Sequence, residues 1–145
     1  MSEANLKIQG NGNYLIIEDL KYSYSNDNKE YSNDRNWLNG SITLKAGKFS
    51  GKYSAYFQTT DFSSLKEQLG ILYNELNGTA KFSTLEEQLE MEFTGDGLGH
   101  FQVECKAVDE AGVGSELSFI INIDQTDLKS VMTNLNQLTE DLPVR

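Results

Sequence analysis

Cysteine, histidine, proline and tryptophan each occur only once in this sequence of 145 residues. The single cysteine, Cys105, rules out an internal disulfide, so the fold depends on its hydrophobic core. The single histidine, His100, rules out a histidine-rich metal site, and its predicted place at a hairpin end disfavours a histidine-activated nucleophile. The single proline, Pro143, lies beyond the last predicted helix, where it interrupts no strand or helix.

Long apolar runs and basic clusters are also missing. No run approaches the roughly 18 apolar residues that a membrane span needs, and the N-terminal stretch MSEANLKIQGNG lacks the basic and apolar segments of a secretory signal. We therefore expect a cytoplasmic protein with no membrane contact. The net charge of −10 argues against nucleic-acid binding, which needs clustered lysine and arginine. The length predicts one domain over residues 1–145.

The negative charge is unevenly distributed along the sequence. Residues 1–81 contain nine acidic and nine basic residues, whereas residues 82–145 contain thirteen acidic residues and only Lys106, Lys129 and Arg145 as bases. The whole excess therefore lies in the second part of the chain. Such an asymmetry indicates either a surface that attracts a basic partner or a surface charged for solubility alone.

Hydrophobic periodicity predicts an α+β fold. Period-2 alternation separated by glycine-rich turns indicates six to eight strands in a curved, mainly antiparallel sheet, and the last three strands are expected to form a meander. Two stretches change to the helical period, and they predict helices over residues 61–77 and 125–140 on the apolar face of the sheet. Asp61 is the predicted N-cap of the first helix.

Two aspartates, Asp124 and Asp127, stand three residues apart where the last strand meets the second helix. A D-x-x-D pair can hold a metal or a substrate. At the start of a helix, however, Asp124 can accept hydrogen bonds from free backbone N–H groups. The negative charge of Asp127 is stabilised there by the positive end of the helix dipole. We interpret the pair as a helix start with Asp124 as the cap; Thr126 is the alternative cap.

Motifs for catalysis are weak. Cys105 alternates with apolar residues, which is typical of the core. The stretch GDGLG lacks the lysine of a phosphate-binding loop, and DNKEYSNDRN lacks the spacing of a calcium loop. A carboxylate pair for glycoside hydrolysis is a possible alternative, but no pair is singled out. No catalytic residue, metal site or cofactor is predicted.

An acidic strand face is the strongest candidate for a binding site. If Leu89, Met91 and Phe93 point into the core, then Glu90 and Glu92 point outward. The next strand turns Glu104 and Lys106 to the same side. Like charges on neighbouring strands repel each other. The three glutamates are therefore either tolerated in solvent or used to bind a cationic partner.

Trp37 follows a polar stretch and enters a strand. Its large ring is predicted to be a structural anchor for the loop before it, and contact with a partner is the alternative.

Three stretches, in this order and spacing, resemble the WapI-type immunity proteins of bacteria over residues 13–143. They are NDRNWLNGSITL, with Asp34, Asn36, Trp37 and Leu38; FSTLEEQLEMEFTGDGLGHFQVEC; and LSFIINIDQTDLKSVMTNLNQLTEDLP. The family pattern tends to have an aromatic residue after D-Q-T, where this chain has Asp127.

The resemblance implies a small cytoplasmic protein, not an enzyme, that neutralises a cognate toxin C-terminal domain. The toxin would be of the contact-dependent or polymorphic kind, whose toxic domains are often nucleases. A basic toxin domain would suit Glu90, Glu92 and Glu104 as the toxin-binding residues, with the protein a monomer or weak dimer. A stand-alone ligand-binding or scaffolding module and a small hydrolase with an acidic cleft are the alternative functions.

Overall fold

The computed structural model describes residues 4–24 and 32–145. Within them, four strands and a helix are followed by four more strands and a second helix. The elements are β1 (Ala4–Gly10), β2 (Asn13–Tyr22), β3 (Trp37–Ala46), β4 (Phe49–Gln58), α1 (Thr59–Glu75), β5 (Asn77–Ser83), β6 (Leu89–Asp96), β7 (His100–Val108), β8 (Glu116–Asp124) and α2 (Gln125–Asp141). A short 3-10 helix, Ser32–Asn36, precedes β3. Residues 25–31 of the polar loop predicted before Trp37 lie outside the described residues.

The α+β class, the antiparallel strands and the two helices are confirmed. The strands are divided between two sheets: β1–β4 form sheet A and β5–β8 form sheet B, each in sequence order. Because α1 separates β4 from β5, β5 begins a new ladder by pairing with β6. The predicted meander of the last three strands is confirmed as β6–β8.

One hydrophobic core joins both sheets and both helices. Each helix also covers a sheet edge, where unpaired backbone groups would otherwise be exposed. On α2, Asn134 Oδ1 accepts a hydrogen bond from Lys7 N of β1 at 3.1 Å. On α1, Gln68 Oε1 accepts one from Lys81 N of β5 at 2.8 Å, and its Nε2 donates to Lys81 O at 3.0 Å.

The first helix begins and ends two residues before its predicted bounds. Gln58 is the N-cap, and Asp61, which was wrongly predicted as the cap, lies in the first turn and accepts a hydrogen bond from Gln58 N at 2.9 Å. The helix starts early because Thr59 is buried and its hydroxyl donates to Asn36 Oδ1 at 2.7 Å. It ends at Glu75, and the C-cap residue Leu76 has a left-handed φ of 66°. The second helix differs from its prediction by one residue.

Sheet B begins with a strand that the periodicity did not predict. β5 is only seven residues long and buries Ala80 and Phe82. The first strand of the predicted meander starts only at Leu89, because the residues before it, 84–88, form a turn that packs on β4. In that turn Gln88 Nε2 donates to Ser54 O at 3.2 Å and Gln88 O accepts from Tyr53 Oη at 2.8 Å. No helix in the part of the chain described is long and apolar enough to cross a membrane.

Candidate functional site

Strand alternation places the three predicted glutamates together on the outer side of sheet B. Leu89, Met91 and Phe93 of β6 are buried, so the residues between them face outward. In β7, Phe101, Val103, Cys105 and Ala107 are buried and Glu104 and Lys106 face outward. We call this surface the acidic face; its members are Lys81, Ser83, Glu90, Glu92, Glu104, Lys106, Glu116, Ser118 and Ile120.

The register of the strands determines which charges meet. Glu92 lies directly opposite Glu104, and Glu90 lies opposite Lys106. On the far side of Glu92, Lys81 of β5 is its cross-strand partner, and the two side chains are 3.9 Å apart. One like-charge pair is therefore flanked by pairs of opposite charge.

Lys106 is shared between two carboxylates. Its Nζ lies 3.3 Å from Glu116 Oε1 and 3.9 Å from Glu90 Oε2. The hydrogen bond and charge of Glu116, followed by the charge of Glu90, raise the pKa of Lys106 above its ordinary value. Lys106 is thus held as a cation. Its ion pairs are with Glu116 and Glu90, so it does not neutralise Glu104.

Glu104 differs from the other three glutamates. Among the residues described, it has no ion-pair partner, whereas Glu90, Glu92 and Glu116 each have one. It is exposed and stands opposite another carboxylate. Like charges directly opposite each other destabilise a sheet, so we expect this pair to cost a small amount of stability.

The acidic face forms a groove of about 890 Å³ that runs across sheet B from Lys81 to Ile120. The alternation of β8 places Ile120 on the outer side of the sheet, where it leaves 41% of its surface exposed. Asn13 of sheet A closes this end, since its Nδ2 donates to Ile120 O at 2.9 Å. The groove therefore combines carboxylates with one exposed apolar side chain at its rim.

The sequence did not reveal every residue of the acidic face and its groove. Lys81 was missed because β5 was not predicted, and Asn13 because it comes from the other sheet. Ile120 could have been found, since Leu117, Phe119, Ile121 and Ile123 share the inner face and leave it outside. Glu116 could have been found from the same alternation.

Asp124 and Asp127 form a reciprocal cap at the start of α2. Asp124 Oδ1 accepts from Asp127 N at 2.9 Å, and Asp127 Oδ2 accepts from Asp124 N at 3.1 Å. The Asp127 N–H holds the pKa of Asp124 below its usual value. Within residues 4–24 and 32–145, no three His, Cys, Asp or Glu side chains are grouped as a metal site. The geometry of this D-x-x-D is that of a helix start.

His100 and Cys105 have structural surroundings. His100 Nδ1 lies 3.1 Å from Asp96 Oδ2, and the pKa of Asp96 is lowered mainly by the backbone N–H of Leu98. Cys105 is buried on the inner face, and burial raises the pKa of its thiol to about 12. A thiol with that pKa is protonated at neutral pH and is a poor nucleophile.

Trp37 lies on the outer side of sheet A, away from the acidic face. It is half-buried, and its ring meets Tyr56 edge-on at 6.5 Å between ring centroids. The loop that it was predicted to anchor includes residues 25–31, which are outside the described residues. Its anchoring role therefore stays a prediction.

The structure is thus an α+β protein with a charged, solvent-facing groove on sheet B. The immunity protein WapI-like family matches residues 6–143, nearly the whole sequence, so this chain belongs to that family. Its role as an immunity protein follows from this membership.

Comparison with other proteins adds little beyond the family. No match to this sequence was found among curated proteins. Among solved structures, a similar chain comes from the crystal structures of trypanosoma bruciei MRP1/MRP2, with a TM-score of 0.49 and 8% sequence identity. The similarity covers 97% of this chain and 83% of that chain. Similarity at this level supports no inference about partners.

Proposed function

We propose that this protein neutralises a cognate toxin by binding its C-terminal domain through the acidic face. The single observation that carries the proposal is Glu104, an exposed carboxylate placed opposite Glu92 with no ion-pair partner among the described residues. An arrangement that costs stability in the free protein is stabilised when a cation of the partner lies between the two carboxylates.

The partner expected for this surface is a basic domain. Toxins of the contact-dependent and polymorphic kinds often end in a nuclease domain, and a nuclease binds its substrate in a basic cleft. A row of carboxylates can occupy such a cleft in place of the phosphates. The protein would then act without catalysis, as a monomer or weak dimer, by excluding nucleic acid from the toxin.

The exposed apolar rim gives the proposed interface a second component. Charged residues mainly speed association and select partners, whereas buried apolar contacts slow dissociation. Ile120 lies beside Glu104, because the two residues are paired across β7 and β8. We therefore expect Ile120 to be covered in the complex and to control the dissociation rate.

The test compares two triple variants with the same change in charge. Glu90→Gln, Glu92→Gln and Glu104→Gln remove three carboxylates from the acidic face. Glu67→Gln, Glu75→Gln and Glu110→Gln remove three exposed carboxylates elsewhere on the protein. Association with the cognate toxin C-terminal domain is then measured at two salt concentrations, together with rescue of growth on co-expression.

We expect the acidic-face variant to associate about 10-fold more slowly at low salt, with a smaller difference at high salt. The control variant should associate at nearly the parental rate. Unfolding of both variants should stay close to that of the parent, because exposed ion pairs contribute little. Equal slowing of both variants, or salt-insensitive association by the parent, would contradict the proposed face.

A further inference from the structure

We propose that a small aromatic pocket on the outer side of sheet A binds an arginine side chain of a protein partner. The pocket has a volume of about 270 Å³ and is lined by Ser23, Tyr24, Trp37, Tyr56 and Glu86. It is separate from the acidic face, which lies on sheet B. Its size suits one inserted side chain better than a ligand of ordinary cofactor size, which needs roughly 300–1,000 Å³.

Two aromatic rings form walls at right angles. Trp37 is paired with Gln58 across β3 and β4, so Tyr56, two residues before Gln58, is its diagonal neighbour on the same face. The ring planes meet at 88°. Tyr56 leaves 53% of its surface exposed, which is high for a large ring beside a tryptophan. A planar cation can stack on one ring and contact the other, and tryptophan is the strongest side chain for this interaction.

A carboxylate, Glu86, lines the pocket together with the aromatic rings. Glu86 belongs to the turn 84–88, and the bonds of Gln88 to Ser54 and Tyr53 hold this turn against β4. Glu86 is exposed, and no ion pair joins it to another residue in the described ranges. None of the five lining residues is basic, so the pocket combines aromatic faces with one uncompensated negative charge.

The protein already binds one guanidinium group beside this pocket. The Arg145 guanidinium carbon lies 3.6 Å from the centroid of the Tyr22 ring, and its Nη2 donates to Tyr24 O at 2.8 Å. The backbone of Arg145 also bonds to Asn36, the residue before Trp37, with Arg145 N donating to Asn36 Oδ1 at 2.8 Å. These contacts hold two sides of the pocket in place before a ligand arrives, which lowers the entropic cost of binding.

Arginine fits this arrangement better than lysine. Its guanidinium is planar, so one face can stack on an aromatic ring while two N–H groups point to a carboxylate in the ring plane. A lysine ammonium is more strongly hydrated and lacks that fork. Lys21 lines the neighbouring groove and not this pocket, and the Arg145 guanidinium beside the pocket is already held by Tyr22 and Tyr24.

The only tryptophan of the protein gives a direct test. Its indole N–H signal and its fluorescence both report on this pocket alone. N-acetyl-arginine amide is titrated into the parent, and N-acetyl-citrulline amide serves as a neutral probe of nearly the same shape. The variants are Tyr56→Ala and Glu86→Gln, and Glu67→Gln is a control that removes a carboxylate from α1.

We expect the arginine probe to shift the Trp37 signal saturably, with a Kd in the millimolar range. Citrulline should bind about 10-fold more weakly, because it lacks the charge. Tyr56→Ala and Glu86→Gln should each weaken the arginine probe about 5-fold, and Glu67→Gln should match the parent.

Equal responses to arginine and citrulline would overturn the proposal, as would an unchanged affinity in Glu86→Gln or an unmoved Trp37 signal in the folded parent. The acidic-face triple variant should titrate like the parent, because none of its three substitutions lines this pocket. Failure of this site is therefore distinguishable from failure of the proposed toxin-binding face.

Discussion

The two halves of the molecule have the same plan and different surfaces. Each half is a four-stranded antiparallel sheet followed by a helix of 17 residues. On the outer side of sheet A, the carboxylate Glu18 is neutralised: it accepts from Thr43 Oγ1 at 3.0 Å and lies 3.7 Å from Lys52 Nζ. On the outer side of sheet B, Glu104 faces Glu92 instead.

The difference shows which part of the sequence specifies the fold and which part is free for function. The inner faces of both sheets must be apolar, because they share one core with the two helices. The outer faces have no such constraint, and their charges can be arranged for a partner. The acidic excess of the second half lies on such an unconstrained surface, which is why the proposed toxin contact is placed there.

The largest expected effect tests whether the halves can be separated. We propose that the chain is a single domain, since Phe57 of β4 and Phe93 of β6 are both fully buried in the common core. Phe57→Ala and Phe93→Ala should each lower the free energy of unfolding by about 3–5 kcal/mol. Denaturation followed by Trp37 fluorescence and by far-UV circular dichroism should give one coincident transition for both variants.

Phe49→Ala is the control, since Phe49 leaves 69% of its surface exposed and the change should stay within about 0.5 kcal/mol. Phe→Leu replaces either core variant that does not fold. If Phe93→Leu or Phe93→Ala shifted the dichroism transition and left the Trp37 transition in place, the halves would be independent units.

The sequence predicted correctly those features that depend on residues close together in the chain. Alternation assigned the inner and outer faces of β6–β8, and the 3.6-residue period located both helices. It therefore brought Glu90, Glu92 and Glu104 to one surface. The sequence did not predict those features that depend on a contact between separate elements. β5 has only two buried apolar residues, and its edge is completed by Gln68 of α1, 13 residues away.

The same limit applies to the binding surfaces. Asn13 reaches the groove of sheet B from sheet A, and Glu86 reaches the aromatic pocket of sheet A from sheet B. Neither has a sequence pattern that indicates its neighbours. The start of α1 was misplaced for a related reason, since the bond from Thr59 to Asn36 joins residues 23 positions apart.

The second prediction compares the acids at the two helix starts. The pKa of Asp124 is lowered, chiefly by the Asp127 N–H, so its stabilisation is present above the unfolded-state pKa of about 3.9 and is lost as the pH falls. The pKa of Asp61 is raised by burial, so its ionised form opposes folding above that pH. At pH 7, Asp124→Ala, which removes the acceptor of the Asp127 N–H, should lower the midpoint of thermal unfolding by about 2–5 °C.

Asp61→Asn should leave that midpoint unchanged or raise it, because an amide oxygen can still accept the Gln58 N–H. The effect of each substitution should shrink as the pH falls below the unfolded-state pKa of aspartate, because the contribution of each ionised carboxylate is lost there. Thermal unfolding measured from pH 3 to pH 8 checks this. Midpoints that move in the same direction for both variants at pH 7 would show that the two helix starts do not differ in this way.

The smallest expected effects come from replacing one glutamate by glutamine on the outer face of each sheet. Glu104→Gln removes a charge that faces Glu92 and breaks no ion pair among the described residues, so it should raise the free energy of unfolding by about 0.2–0.5 kcal/mol at low salt. Glu18→Gln removes the charge that Lys52 and Thr43 bind, and the Glu18 side chain is only 17% exposed. It should lower the free energy of unfolding by about 0.5–1 kcal/mol.

Urea denaturation at low and high salt measures both changes. Added salt should remove most of the gain in Glu104→Gln, because the repulsion between exposed charges is screened, and less of the loss in Glu18→Gln, because that side chain is mostly buried. If both substitutions changed the free energy of unfolding in the same direction, the two outer faces would not differ in how they stabilise a carboxylate. Glu104 would then carry no strain for a partner to relieve, and the electrostatic basis of the proposed toxin binding would be lost even though the family assignment stands.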